Sequence, residues 1–303
     1  MLVGVYSMKL VMILLVRDEA DIVRQNIAFH LACGVDHVIA IDNGSVDGTR
    51  DILADLVGQA PITIVDEPGR DYAQSTWVNQ AIFQAKDRLK ADWIFSNDAD
   101  EFWLTQDNDL KAELTRTPAH ILNVTRRNMV FAHDAPPPEG GWAQGLVYRV
   151  ADPVARPPID DIYADNLPCP YFYMNLPPKV IFRAEGFGGI GMGNHNAQFV
   201  SDVTKAEAEM VIYHYPVRSA AQFERKVVQG GAAFLNHKNL GKMTGWHWRR
   251  WHRMEQAGGI ELPLRDALPS QDMLKADLET GRVLRDLRGL EALQAALGTE
   301  PAA

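Results

Sequence analysis

Four short apolar runs constrain this chain more than anything else in it. Lys9–Val16, His37–Ile41, Ile62–Val65 and Trp93–Ser96 are strand-length, rich in Val, Ile and Leu, and separated by stretches of helical period. Residues 19–33 place Val23, Ile27 and Leu31 on one stripe and stop at Gly34, with Asp18 as the expected N-cap. A second helix carries Ile52, Leu53 and Leu56 after a turn where Ser45 or Asp47 can cap it, and a third spans 75–90. Strand–helix alternation at this spacing predicts an α/β fold: a mostly parallel mixed sheet with helices on both faces. Each run ends in polar residues: Arg17-Asp18-Glu19, Asp42-Asn43, Asp66-Glu67 and Asp98–Glu101. Ligands of such sheets bind beyond the carboxyl ends of the strands, so the four clusters predict one crevice.

A chain of 303 residues accommodates a large α/β domain with an appendage. A formal charge of −9 argues against nucleic acid as a partner. Two cysteines, Cys33 and Cys169, supply neither a disulfide framework nor a cysteine zinc site, and point to a reducing compartment. Leu10–Val16 has little basic charge before it and no small-residue cleavage site after it, so it reads as a first strand and not as a secretory signal. No apolar run reaches the roughly 18–20 residues of a membrane span. The expected location is cytoplasmic, and the charge leaves peripheral attachment at the inner face of the membrane open.

The character changes after residue 130. Residues 131–178 hold ten of the seventeen prolines, together with Trp142, Tyr148, Tyr163, Tyr171 and Tyr173, which predicts a long irregular segment. It reads either as a substrate-binding element or as an inserted surface subdomain. Lys179–Arg183 and Glu209–Tyr213 read as strands, and Ser219 with Gln222 forms a capping-box signal for a helix through Val228. From about 270 the chain reads as charged helix with a leucine stripe. These features suggest a domain over 1–235, with a nucleotide half at 9–103 and an acceptor half at 104–235, followed by a mainly helical extension at 236–303. Trp246–Arg253 is a basic–aromatic cluster. It reads first as an amphipathic helix burying its tryptophans and turning its arginines to the acidic main domain, and second as a wall for a glycan.

The acidic strand end carries the most chemistry. If strand alternation continues through Asp98-Ala99-Asp100, the two carboxylates leave one face roughly 6–7 Å apart. Such a pair needs a cation, and Mn²⁺ or Mg²⁺ bridging to phosphate oxygens fits, so the feature points to a nucleotide. Asp42 can accept from a base N–H or a ribose hydroxyl, beside a helix start that offers backbone N–H groups. Arg17 can pair with phosphate. His214, after an apolar strand, is a candidate third metal ligand. His195, in the glycine-rich stretch Gly191–Asn196, is a candidate ligand or acceptor contact. His30 and His37 read as structural. Lys179 and Arg183 share a strand face and can meet phosphate or an anionic acceptor.

VRDEADI, HLACGVDHVIAIDNGSVDGT and DWIFSNDADEF together resemble the family 2 glycosyltransferases, and Ile212–Ser219 with Phe223 and Lys226 is similar to the "HY…S…F…K" segment of one branch. The likeness covers most of residues 9–230. It implies a GT-A fold, a nucleoside diphosphate sugar as donor and a divalent metal at the DxD. On that likeness Val16, Arg17, Glu19, Asp42, Asn43 and Ser45 line the nucleotide pocket. Asp98 faces the ribose or the metal, and Asp100 binds the metal that bridges the diphosphate. Asp18 departs from the pattern, which often has Asn there. Such a transfer needs a base for the acceptor hydroxyl. Glu185, about 85 residues beyond the DxD, is the first candidate, with Asp160, Asp161 and Glu101 behind it. The resulting expectation is a metal-dependent, inverting transfer of a sugar to a hydroxyl of a glycan, a lipid-linked sugar or a small molecule, in polysaccharide synthesis. The alternatives are a nucleotidyl- or phosphoryl-transfer enzyme of similar fold and a non-catalytic glycan-binding protein.

Overall fold

The computed structural model describes residues 8–69, 74–136, 141–236, 241 and 243–298. The prolines at 137 and 138 therefore lie outside the described residues. The elements, in chain order, are β1 (Leu10–Val16), α1 (Val23–Ala32), β2 (His37–Asp42), α2 (Thr49–Leu56), β3 (Ile62–Asp66), α3 (Gln74–Asp87), β4 (Trp93–Asp98), β5 (Glu101–Leu104), α4 (Leu110–Arg116) and β6 (Ile121–Val130). Then come α5 (Trp142–Gly145), β7 (Tyr148–Val150), β8 (Lys179–Arg183), β9 (Phe187–Ile190), β10 (Ala197–Phe199) and β11 (Lys205–His214). The chain closes with α6 (Ala220–Asn236), α7 (Trp246–Gly258), α8 (Glu261–Ala267), α9 (Gln271–Thr280), β12 (Val283–Arg285) and α10 (Arg288–Leu297).

Two compact units share these elements. The first takes residues 1–126, 177–213 and 291–303. Its sheet runs β6-β8-β4-β1-β2-β3, parallel from β4 to β3 and antiparallel where β8 joins β4 and β6. β11 adds to β5 and β6. Central β1 is buried on both faces, as its unbroken apolar run requires. Val11, Ile13, Ile39 and Ile94 pack under Val78, Ile82 and Ala85 of α3. The registers Val16↔Asp42, Leu15↔Asp98 and Asp42↔Asp66 bring the polar strand ends to one edge of the sheet.

The second unit takes residues 127–176 and 214–290. β7 pairs with β12 and with the end of β6, and the 3₁₀ turn Tyr171–Tyr173 sends Phe172 and Tyr173 into a core with Phe223, Val227, Trp246, Trp251 and Leu264. Trp246 and Trp251 are thus core residues, as the amphipathic reading of this stretch expects. The arginine partner differs. Arg250 makes a two-pronged pair with Asp266 at 2.9 and 2.8 Å inside this unit and also donates to the Ile162 and Asp165 carbonyls. The expected boundary at 235/236 does not coincide with these units, because α6 packs closely on α7. Among the described residues no helix is long and apolar enough to cross a membrane.

Candidate active site

Two loops at the carboxyl ends of β1 and β2 are laced together by side chains. Asp18 has φ +54°, a left-handed conformation that Asn and Asp tolerate best among residues with a Cβ. Its carboxylate accepts the Val46 N–H at 2.7 Å, and its own N–H donates to Ser45 Oγ at 3.0 Å. The Glu19 N–H donates to Thr49 Oγ1, and the Ala20 N–H to Asp47 Oδ2. Asp18 therefore does not cap α1, which begins only at Val23; it bridges loops. Asp47 takes the Thr49 N–H at 3.0 Å at the start of α2. Asp42 is buried behind this lattice, with the Ser45 N–H 3.3 Å from its carboxylate. The amide of Asn43 donates to the Glu67 and Gly69 carbonyls, a structural duty beyond any ligand contact. Val16 is buried and Arg17 is exposed beside it.

The acidic motif departs from simple alternation. β4 ends at Asp98, Ala99 and Asp100 make a turn, and Glu101 opens β5, which leaves to pair with β11. The two aspartates are thus not strand neighbours on one face. Asn97 stabilises the turn: its amide donates to the Glu101 carbonyl and to Asn26 Oδ1, and its oxygen accepts from Trp103 Nε1. Asp98 remains partly exposed, whereas Asp100 and Glu101 are buried.

Two cations meet this turn. Lys179 Nζ lies 2.7 Å from Asp98 Oδ2 and 3.4 Å from Glu101 Oε2, and Arg126 Nη1 lies 3.1 Å from Glu101 Oε1. Burial is the largest influence on Asp98 and works against its charge, but the charge and hydrogen bond of Lys179, with Arg126 behind, together hold the carboxyl below its ordinary value. Burial raises Glu101, with Lys179 pulling the other way. Lys179 itself is desolvated, yet Asp98 and Glu101 raise its pKa. Reading the sequence misses Arg126 altogether and gives Lys179 a phosphate, an anionic acceptor or an edge position in place of its carboxylate partners. Only the antiparallel register of β8 with β4 and β6 brings them to the acids.

The loop after β9 reaches the same turn. Asn194, at φ +58°, donates from its amide to Ser96 Oγ at 2.9 Å. His195 Nδ1 donates to the Pro178 carbonyl at 2.8 Å, which leaves the lone pair on Nε2. Burial first, and then Arg126, lower its pKa to about 4, so the ring is neutral near pH 7.

Glu185 is not brought to the site. β8 runs antiparallel to β4 with Arg183 opposite Trp93, so Glu185, exposed in the turn beyond, stands at the far end of β4, at least about 16 Å from Asp98 at strand rise. His214 belongs to the second unit. Its Nδ1 donates to Asn128 Oδ1 at 2.8 Å, and the Asn128 amide donates to the Phe172 carbonyl. In that unit too, the Asp165 carboxylate accepts the N–H groups of Asp160 and Asp161.

Among the described residues no three His, Cys, Asp or Glu side chains converge to hold an ion alone, so Asp98, Asp100 and His214 are not a preformed three-ligand site. What fits a hard divalent ion is carboxylate oxygen at this turn completed by oxygens of a bound diphosphate.

Comparison with curated proteins finds no match. Among solved structures, residues 1–349 of TarS from S. aureus in complex with UDP-GlcNAc are 12% identical, with a TM-score of 0.39 over 96% of this chain and 80% of that one. Glucosyl-3-phosphoglycerate synthase from Mycobacterium tuberculosis, in complex with Mn²⁺, UDP and glucosyl-3-phosphoglycerate, is 16% identical, with a TM-score of 0.26 over 40% of this chain and 44% of that one. The model of the family described as glycosyl transferase family 2 matches residues 13–150, the stretch that holds both laced loops and the acidic turn. That match falls on the α/β part of the chain, so residues 13–150 are similar to a glycosyl transferase family 2 domain.

Proposed function

We propose that this enzyme moves a sugar from a nucleoside diphosphate donor to an acceptor hydroxyl by a single, inverting displacement that depends on a divalent metal. The observation that carries the reading is the register that sets Asp42 and Asp98 at one sheet edge behind the laced loops. Asp42 accepts from the base or the ribose, and Arg17 lies within the same strand-end cluster to meet phosphate. Asp98 faces the ribose. Asp100 supplies the carboxylate for Mn²⁺ or Mg²⁺. When bound, such an ion balances the charge that gathers on the leaving diphosphate. The acceptor oxygen forms the new bond to the anomeric carbon as the bond to phosphate breaks, and its proton passes to a base. The acceptor is a glycan or a lipid-linked sugar, met at the inner face of the membrane.

A thermal-shift screen of nucleoside diphosphates with and without Mn²⁺ tests this reading. At least one diphosphate should stabilise the protein in a Mn²⁺-dependent way, and Asp100→Ala should remove both that shift and release of the diphosphate from the donor. If no diphosphate stabilises the protein, or Asp100→Ala leaves the shift intact, the reading is overturned.

A further inference from the structure

Lys179 is an unusual residue for its position. It opens β8 at 2% exposure, and the residues after it, Val180, Ile181 and Phe182, are the apolar side chains a core strand calls for. A lysine this deep persists only where carboxylates compensate its lost hydration. Here they do, at 2.7 Å from Asp98 and 3.4 Å from Glu101. Arg126 completes the set on Glu101 at 3.1 Å, and its Nε is anchored on the Pro177 carbonyl at 3.0 Å. Asp98 and Glu101 thus face two cations.

An ammonium and a divalent ion that share the Asp98 carboxylate at a few ångströms repel each other. We propose that Lys179 is a built-in counter-cation that stands in for a metal ion on Asp98, so that divalent-ion binding at Asp100 waits for the donor's diphosphate. This rests on the transferase reading above. A bare ion arriving at the turn finds the Asp98 carboxylate already paired with Lys179 and few oxygens left to bind, whereas Mn²⁺ and Mg²⁺ take about six. The diphosphate brings the missing oxygens and charge, so the ion enters with the nucleotide or after it. Lys179 also keeps Asp98 turned and ionised for the sugar-ring hydroxyls of the nucleotide.

Mn²⁺ binding to the full chain, followed by electron paramagnetic resonance of the free ion, tests this without turnover. It is measured with Mn²⁺ alone and with UDP, GDP, ADP and CDP in turn. Wild type should bind Mn²⁺ alone weakly and about tenfold or more tightly with one of the diphosphates. Lys179→Met keeps the length without the charge. It should bind Mn²⁺ alone about tenfold more tightly than wild type, and Asp98→Asn added to it should abolish the gain. A cooperative thermal transition of Lys179→Met shows that the variant whose affinity is read is folded. If Lys179→Met fails to fold, Asp98→Asn in the wild-type background decides: unchanged affinity for bare Mn²⁺ supports the proposal, and a tenfold loss overturns it. Unchanged or weaker Mn²⁺ binding by folded Lys179→Met also overturns it. If Lys179→Met gains affinity while no diphosphate tightens Mn²⁺ binding in wild type, the counter-cation stands and the transferase reading falls.

Discussion

Single residues in this chain are set by hydrogen-bond geometry that sequence reading sees only in part. His30 reads correctly as structural: its ring is fully buried, Nδ1 donates to the Asn26 carbonyl, and Nε2 accepts the Trp103 N–H at 3.3 Å. Burial lowers its pKa from 6.5 to about 4. Between those values the unfolded chain binds a proton that the folded chain refuses. Stability from this group is therefore complete above about pH 6.5 and drains as the pH falls toward 4, by about 2 kcal/mol at pH 5. Urea midpoints of wild type should drop more between pH 7.5 and pH 5 than those of His30→Gln; equal drops would sink the assignment. Asp18 shows the opposite case. Sequence reading makes it a helix cap and the departure from Asn a mild one. The structure supplies the physical reason for the tolerance, a left-handed backbone and an acceptor for the Val46 N–H, which Asn also provides. Asp18→Asn should unfold within about 0.5 kcal/mol of wild type, whereas Asp18→Ala should lose about 2 kcal/mol. Equal stability of the two variants would count against the loop-bridging role. The Lys179–Asp98 pair was illegible for a different reason: its partners are 81 residues apart, and only strand register unites them.

At the scale of elements, apolar runs locate the strands of the parallel half well, because a strand buried on both faces needs an unbroken run. Run ends are less legible. β4 extends through Ser96 and Asn97 to Asp98, because Asn97 satisfies the turn beyond it with side-chain bonds that no propensity encodes. The serine half of the capping box at Ser219 and Gln222 operates, since the Gln222 N–H donates to Ser219 Oγ at 3.1 Å, while Gln222 Oε1 accepts the Arg218 N–H at 3.0 Å. The helix it starts runs on past Val228 to Asn236, carried by packing on α7. That packing passes through two adjacent glycines with different neighbours. A Cβ on Gly231 would collide with His252, while one on Gly230 would rest 3.4 Å from the Trp248 ring. Gly231→Ala should cost about 1–3 kcal/mol through overpacking. Gly230→Ala should be neutral or stabilise by up to about 1 kcal/mol through helix propensity. Thermal unfolding of the pair checks this, and similar shifts for both would refute a close crossing at Gly231.

For the whole molecule, the division into units was the least legible property. Composition shifts at residue 131 and again near 236, yet the chain passes between its two units at 126/127 inside β6, 176/177 just before β8, 213/214 inside β11 and 290/291 inside α10, elements that look continuous. A boundary after Leu235 follows the composition and cuts through a core. Phe223 and Val227 of α6 are covered by Trp246, Trp251, Leu264, Leu268 and Leu274, all supplied after that point. Five such side chains at about 2 kcal/mol each sum to about 10 kcal/mol, as much as the whole stability of a typical domain. The same cut removes Arg250, which donates to the Ile162 and Asp165 carbonyls, and β12, which pairs with β7. A chain ending at Leu235 should therefore lack a cooperative urea transition and should bind a hydrophobic dye, whereas the full chain should unfold in one sharp step. A truncated chain with a native-like midpoint would show that α6 and its neighbours are stable without the later helices.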